Sequence, residues 1–328
     1  MYSFAMASQK RSVPGRASSK KSRGSSKKNP GGGAPTAPAV QAKAASPDLE
    51  APPASPHATL GFPIVGIGGS AGALPAVQDL FLHMPADCGI AFVVVTHSDP
   101  KTPSLLPEIL SRCTRMRVSE AESGQRIEAN RVYVTPPGCG LVIRDGILWL
   151  ERGKKDAPRI QLPIDAFFRS LAEDQRHWAV GIVLSGTGAD GTLGLAAIRA
   201  ESGLALAQDP ASAEFNGMPA SAIAAGAVDL VLATSEMPER LLSYVSMGHA
   251  PARRERAADS GGDDLDRVLE AVHRLTRRDF SAYKRGTLQR RVERRMNLHQ
   301  IEHLREYVRL LEENPAEVEA LWKDWLIG

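Results

Sequence analysis

Two stretches of this chain are apolar at nearly every position, Ile90-Ala91-Phe92-Val93-Val94-Val95 and Ala179-Val180-Gly181-Ile182-Val183-Leu184. A strand with one wet face alternates apolar and polar residues; these do not, so both of their faces must be covered, as in a parallel sheet sandwiched by helices. The same unit repeats around them. Pro63-Ile64-Val65-Gly66-Ile67 reads as a strand ending in glycines, and Leu74 to Leu82 has helical spacing. The second strand precedes a helix over 104–111, and Val132-Tyr133-Val134 is a third strand. A helix over 164–174 leads into the strand at 179–184, then helix 192–201, strand 204–207, helix 219–225 and strand 228–232. Strands alternating with helices from 62 to 245 predict a doubly wound α/β domain with a mainly parallel sheet. One antiparallel excursion is expected, because residues 141–150 are two apolar runs about Asp145-Gly146, a hairpin signal.

Composition sets the boundaries of this domain. Residues 1–60 are Ser, Lys, Ala, Gly and Pro with nine Lys or Arg against Asp48 and Glu50, a net of +7 in a chain of net +3. The remainder is therefore acidic at −4, and the basicity belongs to a tail too poor in apolar residues to order itself. Such a disordered tail reads as a solvated linker; an electrostatic tether to nucleic acid or acidic lipid is the other reading, and no nucleic-acid partner is expected. A charged linker spans 247–263, and 264–328 carries helical periods at 265–275, 287–296, 303–312 and 315–326 with no strand signal. This small all-helical segment is thin for an independent core. The expected division is thus tail 1–60, α/β domain 61–246, linker 247–263 and helical segment 264–328. No apolar run approaches the roughly 18 to 20 residues of a membrane span, and no apolar segment follows the start, so neither secretion nor membrane insertion is expected. Cys88, Cys113 and Cys139 are an odd number without CxxC spacing, which fits a reduced, cytoplasmic protein with no zinc site.

Open parallel sheets carry their chemistry in the loops at the carboxyl ends of strands. Three such loops are Gly66-Ile67-Gly68-Gly69-Ser70-Ala71-Gly72, Thr96-His97-Ser98-Asp99-Pro100 and Ser185-Gly186-Thr187-Gly188-Ala189-Asp190-Gly191. They offer one serine, one histidine and one aspartate, the set that nucleophilic acyl transfer requires as nucleophile, base and orienting carboxylate. Glycines around Ser70 permit a tight strand-to-helix turn at the positive end of a helix, where backbone N–H groups approach a developing oxyanion. Two alternatives stay open on spacing alone. Gly66-x-Gly68-x-x-Ala71 satisfies a loose dinucleotide fingerprint, although Thr96 and His97 stand where that motif wants an acid. Plain turn chemistry is the other.

The three loops resemble those of the CheB family of chemotaxis protein-glutamate methylesterases, which carries a serine in an IG-x-S-x-GG turn, a histidine after the second strand and an aspartate in a GMG-x-DG loop. Here they read Ile67-Gly68-Gly69-Ser70-Ala71-Gly72-Ala73, Thr96-His97-Ser98 and Gly186-Thr187-Gly188-Ala189-Asp190-Gly191. Similarity continues in order through Val134-Thr135-Pro136-Pro137-Gly138, Pro163-Ile164-Asp165-Ala166-Phe167-Phe168, Ala207-Gln208-Asp209-Pro210-Ala211 and Asn216-Gly217-Met218-Pro219, over about 62–245. The resemblance implies hydrolysis of glutamyl methyl esters on methyl-accepting receptors with release of methanol, and in some members glutamine deamidation. It casts Ser70 as nucleophile, His97 as base and Asp190 as orienting acid, with the oxyanion near the Ser70–Ala71 turn and the Thr187-Gly188 backbone and no cofactor. Ala71, Ala73 and Thr187 depart from the usual threonine, glycine and methionine, as in the esterase modules of methylesterase/methyltransferase hybrids. These departures also motivate a second reading, a non-catalytic signalling or receptor-binding scaffold.

Residues 265–328 resemble the amino-terminal helical domain of chemotaxis receptor methyltransferases, with the cofactor-binding domain that follows it absent, so no methyltransferase activity is expected. Arg290, Arg291, Arg294 and Arg295 fall in i, i+4 pairs and predict one basic helix face. The resemblance makes that face a receptor contact; a solubilising face is the alternative. His299-Gln300-Ile301-Glu302-His303 fits an H-x-x-E-H zinc pattern formally but is read as a solvated helix face. His83, His177, His249 and His273 lack partner motifs, and Asp165 and Asp209 are read as cleft-lining or loop-capping residues.

Overall fold

The structure is a computed structural model and describes residues 60–97, 103–152, 162–248, 263–277, 280 and 283–326. The expected tail, short of Leu60, and most of the expected linker lie outside these residues.

In chain order the α/β part comprises β1 (Ile64–Gly69), α1 (Ala73–His83), β2 (Ala91–Thr96), α2 (Leu106–Ser111), β3 (Arg117–Glu120), β4 (Gln125–Arg126), β5 (Arg131–Val134), β6 (Cys139–Arg144) and β7 (Ile147–Arg152). It continues with α3 (Pro163–Gln175), β8 (Ala179–Val183), α4 (Thr192–Ala200), β9 (Leu204–Gln208), α5 (Gly217–Ala224), β10 (Leu230–Leu232) and α6 (Met237–Gly248). Seven strands form one parallel sheet in the order β10-β9-β8-β1-β2-β5-β3. The chain runs outward from β1 in one direction and then returns to its other side at β8, so the order reverses at β1. That switch point opens a crevice at the carboxyl ends of the central strands.

The expectation of strands covered on both faces holds residue by residue. Ile64, Ala91, Val93 and Val95 join a core with Phe167, Phe168 and Leu171 of α3 and Ile198 of α4. Their neighbours Val65, Ile67, Phe92 and Val94 join a second core with Leu80 and Phe81 of α1 and Leu241 of α6. Glycine in β1 has a packing reason: a Cβ on Gly68 would lie 2.4 Å from Ile164, and one on Gly66 2.8 Å from Phe168. The α3 helix thus lies directly on β1. The hairpin closes as expected, with Arg144 opposite Ile147 and both Asp145 (φ 53°) and Gly146 (φ 70°) left-handed. It forms a three-stranded antiparallel sheet with β4.

Residues 263–326 form α7 (Asp263–Thr276), α8 (Arg285–Leu298), α9 (Leu304–Glu313) and α10 (Pro315–Leu326). They share a third core of Val268, Val272, Leu288, Val292, Tyr307, Leu311, Leu321 and Trp325.

Two expectations about this segment are corrected. The four arginines of α8 do not present one basic face: Arg290 is exposed, but Arg291 (5%) and Arg294 (4%) are buried and Arg295 is largely covered. Their spacing is helical, yet carboxylates distant in sequence turn the face inward: Arg294 pairs with Asp229 and Asp324, and Arg295 with Glu317. Nor do His299 and His303 share a helix, because α8 ends at Leu298, Gln300 is left-handed (φ 55°) and His303 caps the start of α9. His299 instead lies 2.6 Å from Glu317, and no metal-binding cluster occurs among the described residues.

Candidate active site

Ser70, His97 and Asp190 follow β1, β2 and β8, three neighbours in the sheet. The last paired residues of β1 and β2 are Gly69 and Thr96. Ser70 and His97 are each one residue further, so they leave the sheet at the same edge from adjacent strands.

The Ser70 turn is fixed by backbone. Its N–H donates to Ser185 O (3.0 Å), its carbonyl accepts from Ala73 N (3.1 Å), and Gly72 between them is left-handed at φ 69°. This turn leads into α1, which begins at Ala73. The Ser70 hydroxyl makes no hydrogen bond among the described residues, so it is free to face the crevice. Nearby N–H groups are free in the same sense: those of Ala71, Thr187 and Gly188 find no acceptor among the described residues.

Asp190 is buried (3%) and surrounded by donors. Its Oδ1 accepts from Asp165 N and Gly191 N, both at 2.9 Å, and its Oδ2 accepts from Ile164 N at 3.1 Å. Two of these N–H groups belong to the first turn of α3, whose positive end favours the carboxylate anion. The remaining contact of Oδ2 is His97 Nε2 at 3.1 Å. Every other neighbour of this carboxylate is a backbone donor, so its Oδ2 faces His97 as an acceptor and the ring nitrogen facing it carries the proton. That fixes Nδ1 of His97 as the basic nitrogen. His97 is itself partly exposed, within reach of the crevice.

Behind these groups lies a shell that sequence reading did not single out, apart from Asp165. Ser185 is fully buried; its hydroxyl donates to Ala71 O (2.9 Å) and accepts from Phe215 N (2.9 Å), while its N–H donates to Gln208 Oε1 (2.9 Å). Gln208 in turn donates to Ser212 O (3.1 Å). One hydroxyl therefore ties the Ser70 turn, the loop after β8 and the loop after β9 together. Asp165 is buried beside Asp190 and caps α4 through Gly194 N (2.7 Å). Burial pushes its carboxyl pKa up, and the charge of Asp190 adds to that. Asp209, by contrast, is a loop cap, accepting from Ala211 N. The signal for Ser185 was its place at the start of the Asp190 loop, where a serine ahead of a glycine reads equally well as turn filler.

An acidic residue at the end of β2, which a dinucleotide site wants, is missing: Thr96 and His97 stand there, and the His97 imidazole is engaged by Asp190.

A doubly wound sheet with a serine turn, a histidine–aspartate pair and free N–H groups gathered at its switch point defines the class: an open-sheet α/β protein with its chemistry at the carboxyl edge. The chain belongs to the CheB methylesterase family, whose family model matches residues 65–241. Residues 263–325 match the all-alpha domain of CheR methyltransferases. An uncharacterized 104.1 kDa protein of Rhodobacter capsulatus is 36% identical over 244 residues, 68% of this chain and 25% of that one. A protein-glutamate methylesterase/protein-glutamine glutaminase of Burkholderia orbicola is 34% identical over 197 residues, covering 60% of this chain and 58% of its own length. The chain thus spans a quarter of the first relative and little over half of the second. The crystal structure of the Thermotoga maritima CheB methylesterase catalytic domain superposes with a TM-score of 0.52 at 28% identity, covering 56% of this chain and 99% of that one. No helix among the described residues is long and apolar enough to cross a membrane.

Proposed function

We propose that this protein is a protein-glutamate methylesterase, hydrolysing glutamyl methyl esters on methyl-accepting chemotaxis-type receptors, with glutamine deamidation as the parallel reaction. The observation that carries this reading is the His97 Nε2 to Asp190 Oδ2 contact of 3.1 Å beside the Ser70 turn. Family membership supports it, as do the names of the relatives.

The Ser70 oxygen attacks the ester carbonyl carbon and its proton passes to Nδ1 of His97. Asp190 holds the imidazole in the tautomer that makes Nδ1 basic and stabilises the imidazolium that forms. The carbonyl oxygen, now an anion, takes the free N–H groups of Ala71, Thr187 and Gly188; these are backbone donors, so the Ala71 and Thr187 side-chain departures leave them in place. His97 returns the proton as the C–O bond breaks and methanol leaves. Water then attacks the acyl-serine, His97 takes its proton, and glutamate is released with Ser70 restored. With glutamine as substrate the leaving group is ammonia. The Ser70–His97 hydrogen bond closes as substrate enters, since such bonds tighten only in the loaded complex.

Methanol release from a methylated receptor fragment tests this. Turnover by the purified chain that falls to background in Ser70→Ala is the expected result. Receptor binding without turnover, unchanged in Ser70→Ala, would establish the scaffold reading instead.

A further inference from the structure

The receptor-facing role that resemblance gives to the α8 arginines is closed to Arg291 and Arg294, because groups of the α/β part and of α10 already occupy them. Arg294 Nη2 lies 2.5 Å from Asp229 Oδ2, on the α/β side, and Nη1 lies 2.8 Å from Asp324 Oδ2, in α10. Arg199 of α4 does the reverse. Its Nη2 lies 2.9 Å from Asp324 Oδ1, and its Nε lies 2.8 Å from Asp229 Oδ1, close enough for an ion pair though off line for a hydrogen bond. Two cations and two anions thus form a closed square, each arginine bridging an aspartate of either part. All four side chains are covered: Asp229 is 0% exposed, Asp324 2%, Arg294 3% and Arg199 14%. Burial works against the Arg294 charge, but Asp229 and Asp324 outweigh it and hold its pKa above the ordinary value.

The square has neighbours of the same kind. Arg294 Nε donates to Gly203 O (2.9 Å), Arg291 to Ala200 O (3.3 Å) and Gln300 to Ser243 Oγ (2.8 Å), while Arg240 reaches the Leu298 carbonyl. Leu298 itself joins the core that contains Leu241 and Tyr244 of α6. Buried ion pairs gain little stability over an apolar contact but penalise any arrangement that leaves one charge unpaired. Here they fix one docking register, and Leu298 adds apolar burial.

We propose that the α7–α10 segment is a fixed intramolecular partner of the α/β domain, docked through the Arg199–Asp229–Arg294–Asp324 square, and that its arginines Arg291 and Arg294 serve this interface in place of an acidic receptor. The docking face lies at the amino ends of β9 and β10, whereas Ser70, His97 and Asp190 lie at carboxyl ends. A strand of five residues separates the two edges by about 17 Å. The segment therefore leaves the crevice open, and its docking is independent of the esterase reading.

The test inserts a specific protease site within 249–262, cuts the folded full-length chain and follows the two pieces by gel filtration. The unaltered pieces co-elute. Arg199→Glu places a third carboxylate against Asp229 and Asp324 and weakens association at least tenfold; Arg240→Glu, which perturbs only the Leu298 contact, weakens it less. Circular dichroism checks that both variants fold, and hydrolysis of a small soluble ester by uncut Arg199→Glu is unchanged. Unaltered pieces that separate on cutting, or Arg199→Glu pieces that associate as tightly as the unaltered ones, would overturn the proposal. Loss of esterase activity in every form, with docking intact, would count against the functional reading alone.

Discussion

Replacing Asp190 with asparagine keeps the shape of the side chain and changes only what it can accept. In the native site all four neighbours are donors: His97, Ile164 N, Asp165 N and Gly191 N. An amide has one accepting oxygen and one NH2 group, so two slots must change character. The least costly arrangement leaves the oxygen to Asp165 and Gly191 and turns the NH2 toward His97, whose Nε2 gives up its proton and accepts. One buried backbone donor, Ile164 N–H, then lacks a partner, at about 1 to 3 kcal/mol. That shifts the melting temperature by only about 2 to 12 °C for a domain of this size. Catalysis suffers far more, because the imidazole proton now sits on Nδ1, where the base should be. A wrong-tautomer histidine lowers kcat by about ten-thousandfold in a serine triad. Asp190→Asn is therefore expected to fold, bind receptor with little change in KM, and lose kcat by three to four orders of magnitude (roughly 4 to 5 kcal/mol). Methanol release at saturating substrate and a denaturant titration measure the two effects. A kcat within tenfold of the unaltered protein, or a loss that appears in KM alone, would refute the tautomer argument.

Three further substitutions probe the surroundings. Ser185→Ala strips the hydroxyl between Ala71 O and Phe215 N; a loss of about 1 to 3 kcal/mol in stability, with kcat reduced and KM held, is expected, and an unchanged kcat would show that the hydroxyl does not position the Ser70 turn. Gly186→Ala would set a Cβ 2.1 Å from Met218 Sδ and 3.1 Å from Ser70 Cβ; overpacking of about 1 to 3 kcal/mol with a weakened esterase is the expected outcome, checked by thermal melting and turnover. In α10, Glu317 accepts from Tyr307 (2.8 Å) and pairs with Arg295 and His299. Burial disfavours its charge, but hydrogen bonds from His299 and Arg295 outweigh burial and pull its pKa down from 4.5 to about 2. A carboxyl depressed on folding contributes stability that is fully present above about pH 4.5 and is lost as pH falls through about 2. The gap is worth about 3 kcal/mol. Glu317→Gln should therefore destabilise the protein at pH 7 and converge on the unaltered protein near pH 2; a deficit constant with pH would contradict this.

The sheet and the candidate site were legible because their signals are local. Short, β-branched apolar runs such as 90–95 read as strands covered on both sides, and glycines at 66–72 and 186–191 mark the turns that deliver Ser70 and Asp190. What stayed hidden depends on partners far along the chain. The β3 strand, Arg117–Glu120, is a short polar edge strand, half-covered at best, that among the described residues pairs with β5 alone, so nothing in its own residues demands a sheet. Helix α6 was absorbed into the domain edge, because its role is to cover one face of the sheet with Leu241 and Tyr244. Helical spacing placed the four α8 arginines on one side but could not say what faces them; Asp229 and Asp324 lie 65 and 30 residues from Arg294. The Ser185 hydroxyl escaped notice for the same reason, since its partners sit 114 and 30 residues away.

A nucleophilic Ser70, activated by His97 and Asp190, has its direct signature in an acyl-enzyme. Rapid acid quench of the protein turning over a methyl-ester receptor peptide, followed by intact-mass and peptide mass spectrometry, measures it. The expected result is a covalent glutamyl adduct on Ser70, formed with release of one methanol and absent in Ser70→Ala. Steady turnover with no adduct, or an adduct on another residue that persists in Ser70→Ala, would contradict it.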